Sequence, residues 1–239
     1  VKVSQASEAF RQQMGALVRT GVDALILETF SSWDELVVAV NVAQEIIPDD
    51  SILLIASISL TYDHRTLLGD DAARSARELA QLGVDVIGVN CSSGPEQLMR
   101  ALRTMKQAAP DSLFSVMPNA GWPERVGGRT MYPAPPEYFG KYAQAFVQGG
   151  AVIVGGCCGT TPAHISSMRS ALDMPTEDWD AIPKIRLDSI REETPVSPEG
   201  PTQLAQKLHS DEFIVGVELT PPRGYTPHKL LNQARVLVE

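Results

Sequence analysis

Three cysteines, Cys91, Cys157 and Cys158, are the residues of this 239-residue chain best suited to chemistry. Two of them are neighbours, in VGGCCGTTPAHI (Val154–Ile165), after two glycines and before a helix-like stretch. A disulfide between adjacent cysteines strains the backbone, and CC lacks the C-x-x-C spacing of a redox dithiol. So sparse and odd a set also argues against a secreted disulfide scaffold and for a reducing cytoplasm. Each cysteine ends an apolar run that reads as a strand. If those strands are parallel, their C-terminal ends share one rim, and the sequence separation of 66 from Cys91 to Cys157 can close to a few ångströms. Three converging thiolates suit zinc, and three protein ligands leave one position open, the arrangement of a catalytic site. A redox dithiol and a structural zinc module are the other readings. Taken singly, each cysteine also fits the role of a small buried hydrophobe.

The elements that must position these thiols repeat one pattern: a helix-like stretch, a glycine, then a β-branched apolar run. The runs are Ala24–Phe30, Ile52–Leu60, Val84–Cys91, Leu113–Asn119 and Ala151–Cys158. They are almost continuously apolar, as expected of parallel strands covered on both faces. Helix candidates lie between them at Trp33–Ile47, Ala72–Leu82, Glu96–Ala109 and Glu137–Gln148. TGVDALILET and LGVDVIGVNC form a weak internal repeat offset by 62 residues. Strand starts 28 to 38 residues apart suit a (β/α) barrel or an open doubly wound sheet, and the repeated short βα unit favours the barrel.

After Leu172 a Pro- and charge-rich stretch without sustained period reads as a linker, 173–210. A short helix, a strand at Phe213–Leu219 and a further helix at His228–Val238 then open a second domain. The chain starts at Val1 in what reads as mid-helix, and we expect it to be an internal piece of a longer protein. A net charge of -9 with no Lys/Arg run argues against a nucleic-acid surface. No apolar stretch reaches the roughly 18 residues of a membrane span.

GVNCSSGP (Gly88–Pro95), PNAGWPERVGGRTMYPAPPEYF (Pro118–Phe139) and GGCCGTTPAHI (Gly155–Ile165) resemble the zinc-dependent homocysteine S-methyltransferase family. LILETF (Leu25–Phe30) and RTLLG (Arg65–Gly69) fit the same pattern in order, and the resemblance covers residues 1–172. It implies a (β/α)8 TIM barrel, of which the C-terminal five βα units are present, and a zinc ion on Cys91, Cys157 and Cys158. It also implies homocysteine and a methyl donor as partners, with Glu28 on the substrate's amino group. Asn90 and the turn from Ser92 to Gly94 then either take the carboxylate through N–H groups, or Asn90 only caps the turn. Asn119 either approaches the metal or shapes its loop. His164 reads as a packing histidine, and His64 is given no role.

FIVGVELTPPRG (Phe213–Gly224) is similar to the first strand of the flavin-dependent methylenetetrahydrofolate reductase family. That resemblance implies FAD and folate for residues 211–239, with Glu218 as the catalytic residue near the flavin. The two together imply a fusion of methyltransferase and reductase. The homocysteine module of a cobalamin-dependent methionine synthase ranks second. The donor stays open among S-methylmethionine, S-adenosylmethionine, betaine and methylcobalamin.

Overall fold

The structure, a computed structural model, describes residues 2–48, 51–126 and 129–179, together with 206, 207 and 210. The chain divides into two compact units, Val1–Leu187 and Asp188–Glu239. Most of the second unit lies outside the described residues. So do the expected strand at Phe213–Leu219, Glu218, the helix at His228–Val238 and most of the linker 173–210.

The first unit is built from βα units. Helix α1 (Val3–Arg19) leads into β1 (Ala24–Phe30), α2 (Trp33–Ile46), β2 (Leu53–Ile58), α3 (Ala72–Gln81), β3 (Val86–Asn90), α4 (Pro95–Ala108) and β4 (Leu113–Met117). A short hairpin, β5 (Glu124–Val126) and β6 (Arg129–Met131), precedes α5 (Pro136–Gln148), β7 (Ala151–Val154) and α6 (Pro162–Leu172). The sheet is five-stranded and parallel, in the order β1-β2-β3-β4-β7. Only the antiparallel β5–β6 hairpin interrupts the alternation, and the sequence pattern gave no sign of it, because its strands have three residues each.

Local signals set the helix starts. Ser32 and Asp71 accept the N–H groups of Glu35 and Arg74, capping α2 and α3. Pro95 and Pro136 open α4 and α5, where a missing N–H costs nothing. The core joins the helices to the sheet through fully buried residues such as Leu36, Leu79, Ile87, Met99, Leu102, Phe114 and Phe146. Burying a Leu, Ile or Phe side chain contributes about 1.5–3 kcal/mol each.

Ser57, Gly88 and Ser115 are aligned across β2, β3 and β4. A Cβ added at Gly88 would come within 2.6 Å of Ser57 Cβ and 2.7 Å of Ser115 Oγ. The two serines therefore crowd over the middle strand, and only glycine fits between them. The expected strands overrun the observed ones mainly at their C-terminal ends. Ser59, Cys91, Asn119 and Cys157–Cys158 all fall past the last paired residue, in the loops of one rim. No helix among the described residues is long and apolar enough to cross a membrane.

Candidate metal centre

β3 delivers Cys91 to this rim through a strained turn. Cys91 and Ser92 both have left-handed backbones, with φ of 62° and 60°. For residues bearing a Cβ this conformation costs roughly 1–2 kcal/mol each, and such strain gathers at functional sites. Cys91 N–H donates to Met117 O at 3.0 Å, and Ser93 N–H folds back onto Cys91 O at 2.6 Å. The turn thereby keeps Cys91 against the end of β4.

β7 delivers the other two cysteines through a turn braced by the loop after β4. Cys157 N–H donates to Pro118 O at 2.8 Å, and Ala120 N–H donates to Cys158 O at 2.8 Å. Cys158 N–H donates to the side-chain oxygen of Asn119 at 3.0 Å. Thr160 closes the turn by donating its hydroxyl to Cys157 O at 2.6 Å. Helix α6 then begins at a capping box formed by Thr161 and His164. His164 Nδ1 accepts the Thr161 N–H, which leaves Nε2 to donate to Ala134 O at 3.0 Å. His164 is buried and meets Phe139 edge-on, so it packs, as the sequence reading had it.

These two turns bring the three thiols together. Their Sγ atoms all lie within 4.8 Å of one another, and Cys91 Sγ is 3.8 Å from Cys158 Sγ. Sulfurs at about 2.3 Å from a tetrahedral zinc stand roughly 3.8 Å apart, so the spacing fits that ion. It is far longer than the ~2.05 Å of a disulfide, and all three are free thiols. Burial, followed by the neighbouring Cys91, pushes the Cys157 thiol up to about 12. Thiols this crowded ionise together only beside a cation. Among the described residues the group has three members and no fourth His, Cys, Asp or Glu.

Asn90 is buried directly beneath the thiols, and its amide is fully engaged within the protein. Its oxygen accepts Thr29 N–H at 3.0 Å and Ser57 Oγ–H at 2.8 Å. Its nitrogen donates to Thr29 Oγ1 at 2.7 Å and reaches Cys157 Sγ at 3.9 Å. Through these bonds the side chain ties β1, β2 and Cys157 together. Asn119 likewise shapes its loop: besides holding Cys158, its N–H donates to Ser93 O at 3.0 Å, joining the two cysteine turns. Ser92 Oγ pairs with Ser59 Oγ at 2.5 Å. Glu28 is exposed on β1, an edge strand among those described, and lines a cleft of about 410 Å³ against α1. No hydrogen bond joins it to the cysteines.

Sequence reasoning missed three side chains here. Thr29 sits at a bulge of β1 with φ of 65° and grips Asn90; a β-branched residue gives no signal for that conformation. Ser93 Oγ is buried without a hydrogen-bond partner among the described residues. Tyr132, inside a motif already noted, lies against the Cys158–Gly159 turn.

Comparison with known proteins follows the same residues. The model of a family described as Homocysteine S-methyltransferase matches residues 1–172. Methionine synthase from Mycobacterium tuberculosis (strain ATCC 25618 / H37Rv) is 32% identical over 168 residues, 69% of this chain and 14% of that protein. Its counterpart in Mycobacterium leprae (strain TN) is 30% identical over the same length. The chain thus spans about one seventh of these curated relatives, 14% in each case. Among solved structures, apo homocysteine methyltransferase MmuM from Escherichia coli aligns with a TM-score of 0.58 at 23% identity, over 72% of this chain and 58% of that one. The metallated form of the same enzyme aligns with a TM-score of 0.54. At that identity the likeness speaks to fold.

Proposed function

The chain belongs to the homocysteine S-methyltransferase family, and from that premise we propose that it binds homocysteine at a zinc ion held by Cys91, Cys157 and Cys158 and methylates its thiol to give methionine. The observation that carries this reading is the three-thiol cluster, its sulfurs within 4.8 Å of one another and Cys91 Sγ 3.8 Å from Cys158 Sγ. Bound there, zinc would deprotonate a coordinating thiol, which a free thiol near pKa 8.5 needs to be nucleophilic at neutral pH.

The chain's own residues divide the remaining work. Cys91, Cys157 and Cys158 supply three negative charges that leave electron density on the incoming sulfur. Asn90 and Asn119 hold the two cysteine turns in register. The turn from Ser92 to Gly94, with the unpartnered Ser93 hydroxyl in it, receives the substrate carboxylate. Glu28 takes the amino group from the rim of β1. That residues 1–172 are the C-terminal five βα units of a (β/α)8 barrel belongs to the same proposal, supported by the five-stranded parallel sheet.

Assaying homocysteine against a panel of methyl donors tests the reading. Methionine should form with at least one donor and vanish in Cys157→Ala; equal turnover in that variant overturns it. The reductase reading of residues 211–239, with FAD, folate and Glu218, rests on the stretch FIVGVELTPPRG alone. Bound flavin in the purified protein, and loss of folate reduction alone in Glu218→Gln, would support it. The second reading, a methionine synthase homocysteine module, is favoured by the names of the curated relatives. A donor panel answering only to methylcobalamin would select it.

A further inference from the structure

The rim that carries the thiols also carries a cavity of about 210 Å³, lined by Tyr62, Trp122 and Tyr138 together with the start of α4. Gly94 and Gly121, which line it too, tie it to the metal centre. A Cβ added at Gly94 would come within 3.2 Å of Gly121 Cα, so two loops touch there. Gly94 ends the turn that begins at Cys91, and Gly121 follows Ala120, whose N–H holds Cys158 O at 2.8 Å. Tyr62 and Trp122 are 71% and 59% exposed, which leaves their rings available to a ligand. Tyr138 is half-buried and backed by Tyr142, with ring centroids 4.7 Å apart. Tyr62 stands on a turn closed by Thr61 N–H to Arg65 O at 2.7 Å and His64 N–H to Thr61 O at 3.0 Å. Its place is therefore set before any ligand arrives.

Charge and shape limit what these groups can bind. Among the described residues, Glu96 is the one charged residue lining the cavity, and Arg100 already neutralises it at 2.8 Å. The lining therefore holds no unpaired charge for an ion. Helix α4 starts at Gly94, which has no side chain to cap it, so the N–H groups of Glu96 and Gln97 lack a partner within the helix. Aromatic faces take flat rings by offset stacking, and the N–H groups call for an acceptor. The volume suits one ring system, since pockets for whole drug-sized ligands run to about 300–1,000 Å³.

We propose that this cavity binds the fused bicyclic base of the methyl donor, a purine or a benzimidazole, stacked among Tyr62, Trp122 and Tyr138 with a ring nitrogen accepting from the start of α4. The proposal rests on the methyltransferase reading above, and it divides the donors that the sequence leaves open. S-adenosylmethionine carries a purine and methylcobalamin a benzimidazole; betaine and S-methylmethionine carry no ring. With its base anchored beside the thiols, the donor passes its methyl group to the homocysteine thiolate. The electron pair of the broken bond stays on the donor's sulfur or cobalt, so no further reactant is needed.

Calorimetric titration with adenosine and with 5,6-dimethylbenzimidazole, read beside donor kinetics, is the test. One base should bind the zinc-loaded chain more tightly, and that base identifies the donor. Trp122→Leu and Tyr62→Leu should each weaken its binding about tenfold and raise the KM of the matching donor to the same degree. Zinc content and the KM for homocysteine should stay as in the wild type, and, both side chains being exposed, so should the thermal melt. Failure of either base to bind, or wild-type binding in both variants, would overturn the proposal. So would methyl transfer from betaine or S-methylmethionine alone. A base that binds while no donor yields methionine would instead overturn the methyltransferase reading on which the donor assignment depends.

Discussion

The two turns that present the thiols reach one goal by opposite means. At the end of β3, Cys91 and Ser92 adopt left-handed backbones that their side chains resist. At the end of β7, the left-handed position falls on Gly159 instead, and the loop after β4 braces the cysteines with hydrogen bonds from Ala120 and to Asn119 and Pro118. The first turn stores strain in the cysteine itself; the second avoids strain and depends on its neighbours. A ligand held by local strain should be insensitive to remote substitutions. A ligand held by a brace should fail when the brace does.

The largest expected effect treats the turns alike. Cys91→Ala, Cys157→Ala and Cys158→Ala should each abolish stoichiometric zinc, measured by metal analysis after dialysis, because two thiolates hold the ion far more weakly than three. Next comes Asn90→Ala, which leaves the buried Ser57 hydroxyl without its acceptor at about 1–3 kcal/mol and frees the exposed Thr29. Denaturant unfolding should shift by that order, and zinc should be held more weakly through Cys157. Breaking the brace should cost less. Asn119→Ala removes the acceptor for Cys158 N–H, and it should speed zinc release while leaving Cys91 alkylation unchanged.

A pH effect separates loaded from metal-free protein. Because the Cys157 thiol is raised from about 9 to about 12 in the metal-free fold, the folded state keeps its proton more tightly than the unfolded chain does. The resulting stability is present below about pH 9 and is lost as pH rises toward 12. Metal-free melts should therefore fall across that window, and zinc-loaded melts should fall less. The smallest effect sharpens the contrast between the turns. Ser92→Gly relieves a left-handed backbone but loses the bond to Ser59, two terms of about 1 kcal/mol each that nearly cancel. A near-unchanged melting curve is expected there, against a clear loss for Gly159→Ala.

Much of this was legible in the sequence where the physics is local. Apolar β-branched runs between glycines marked all five parallel strands, and β1 has the expected bounds of Ala24–Phe30. The α/β fold and the convergence of Cys91, Cys157 and Cys158 followed, since parallel strands must end on one rim. What sequence left undecided was the partner of each polar group. Asn90 and Asn119 stood open between ligand and scaffold roles. In the structure their bonds run to Thr29, Ser57, Cys158 and Ser93, up to 61 residues away. Tyr132 escaped notice for the same reason: the contact that matters is with Gly159, across the rim.

The account stands on three sulfurs sharing one zinc ion, and X-ray absorption at the zinc edge measures that directly. Without homocysteine the spectrum should show three sulfurs at about 2.3 Å and one lighter oxygen or nitrogen donor. With homocysteine the lighter donor should give way to a fourth sulfur at the same distance. A shell of four light donors, or three sulfurs unchanged by saturating homocysteine, would contradict it.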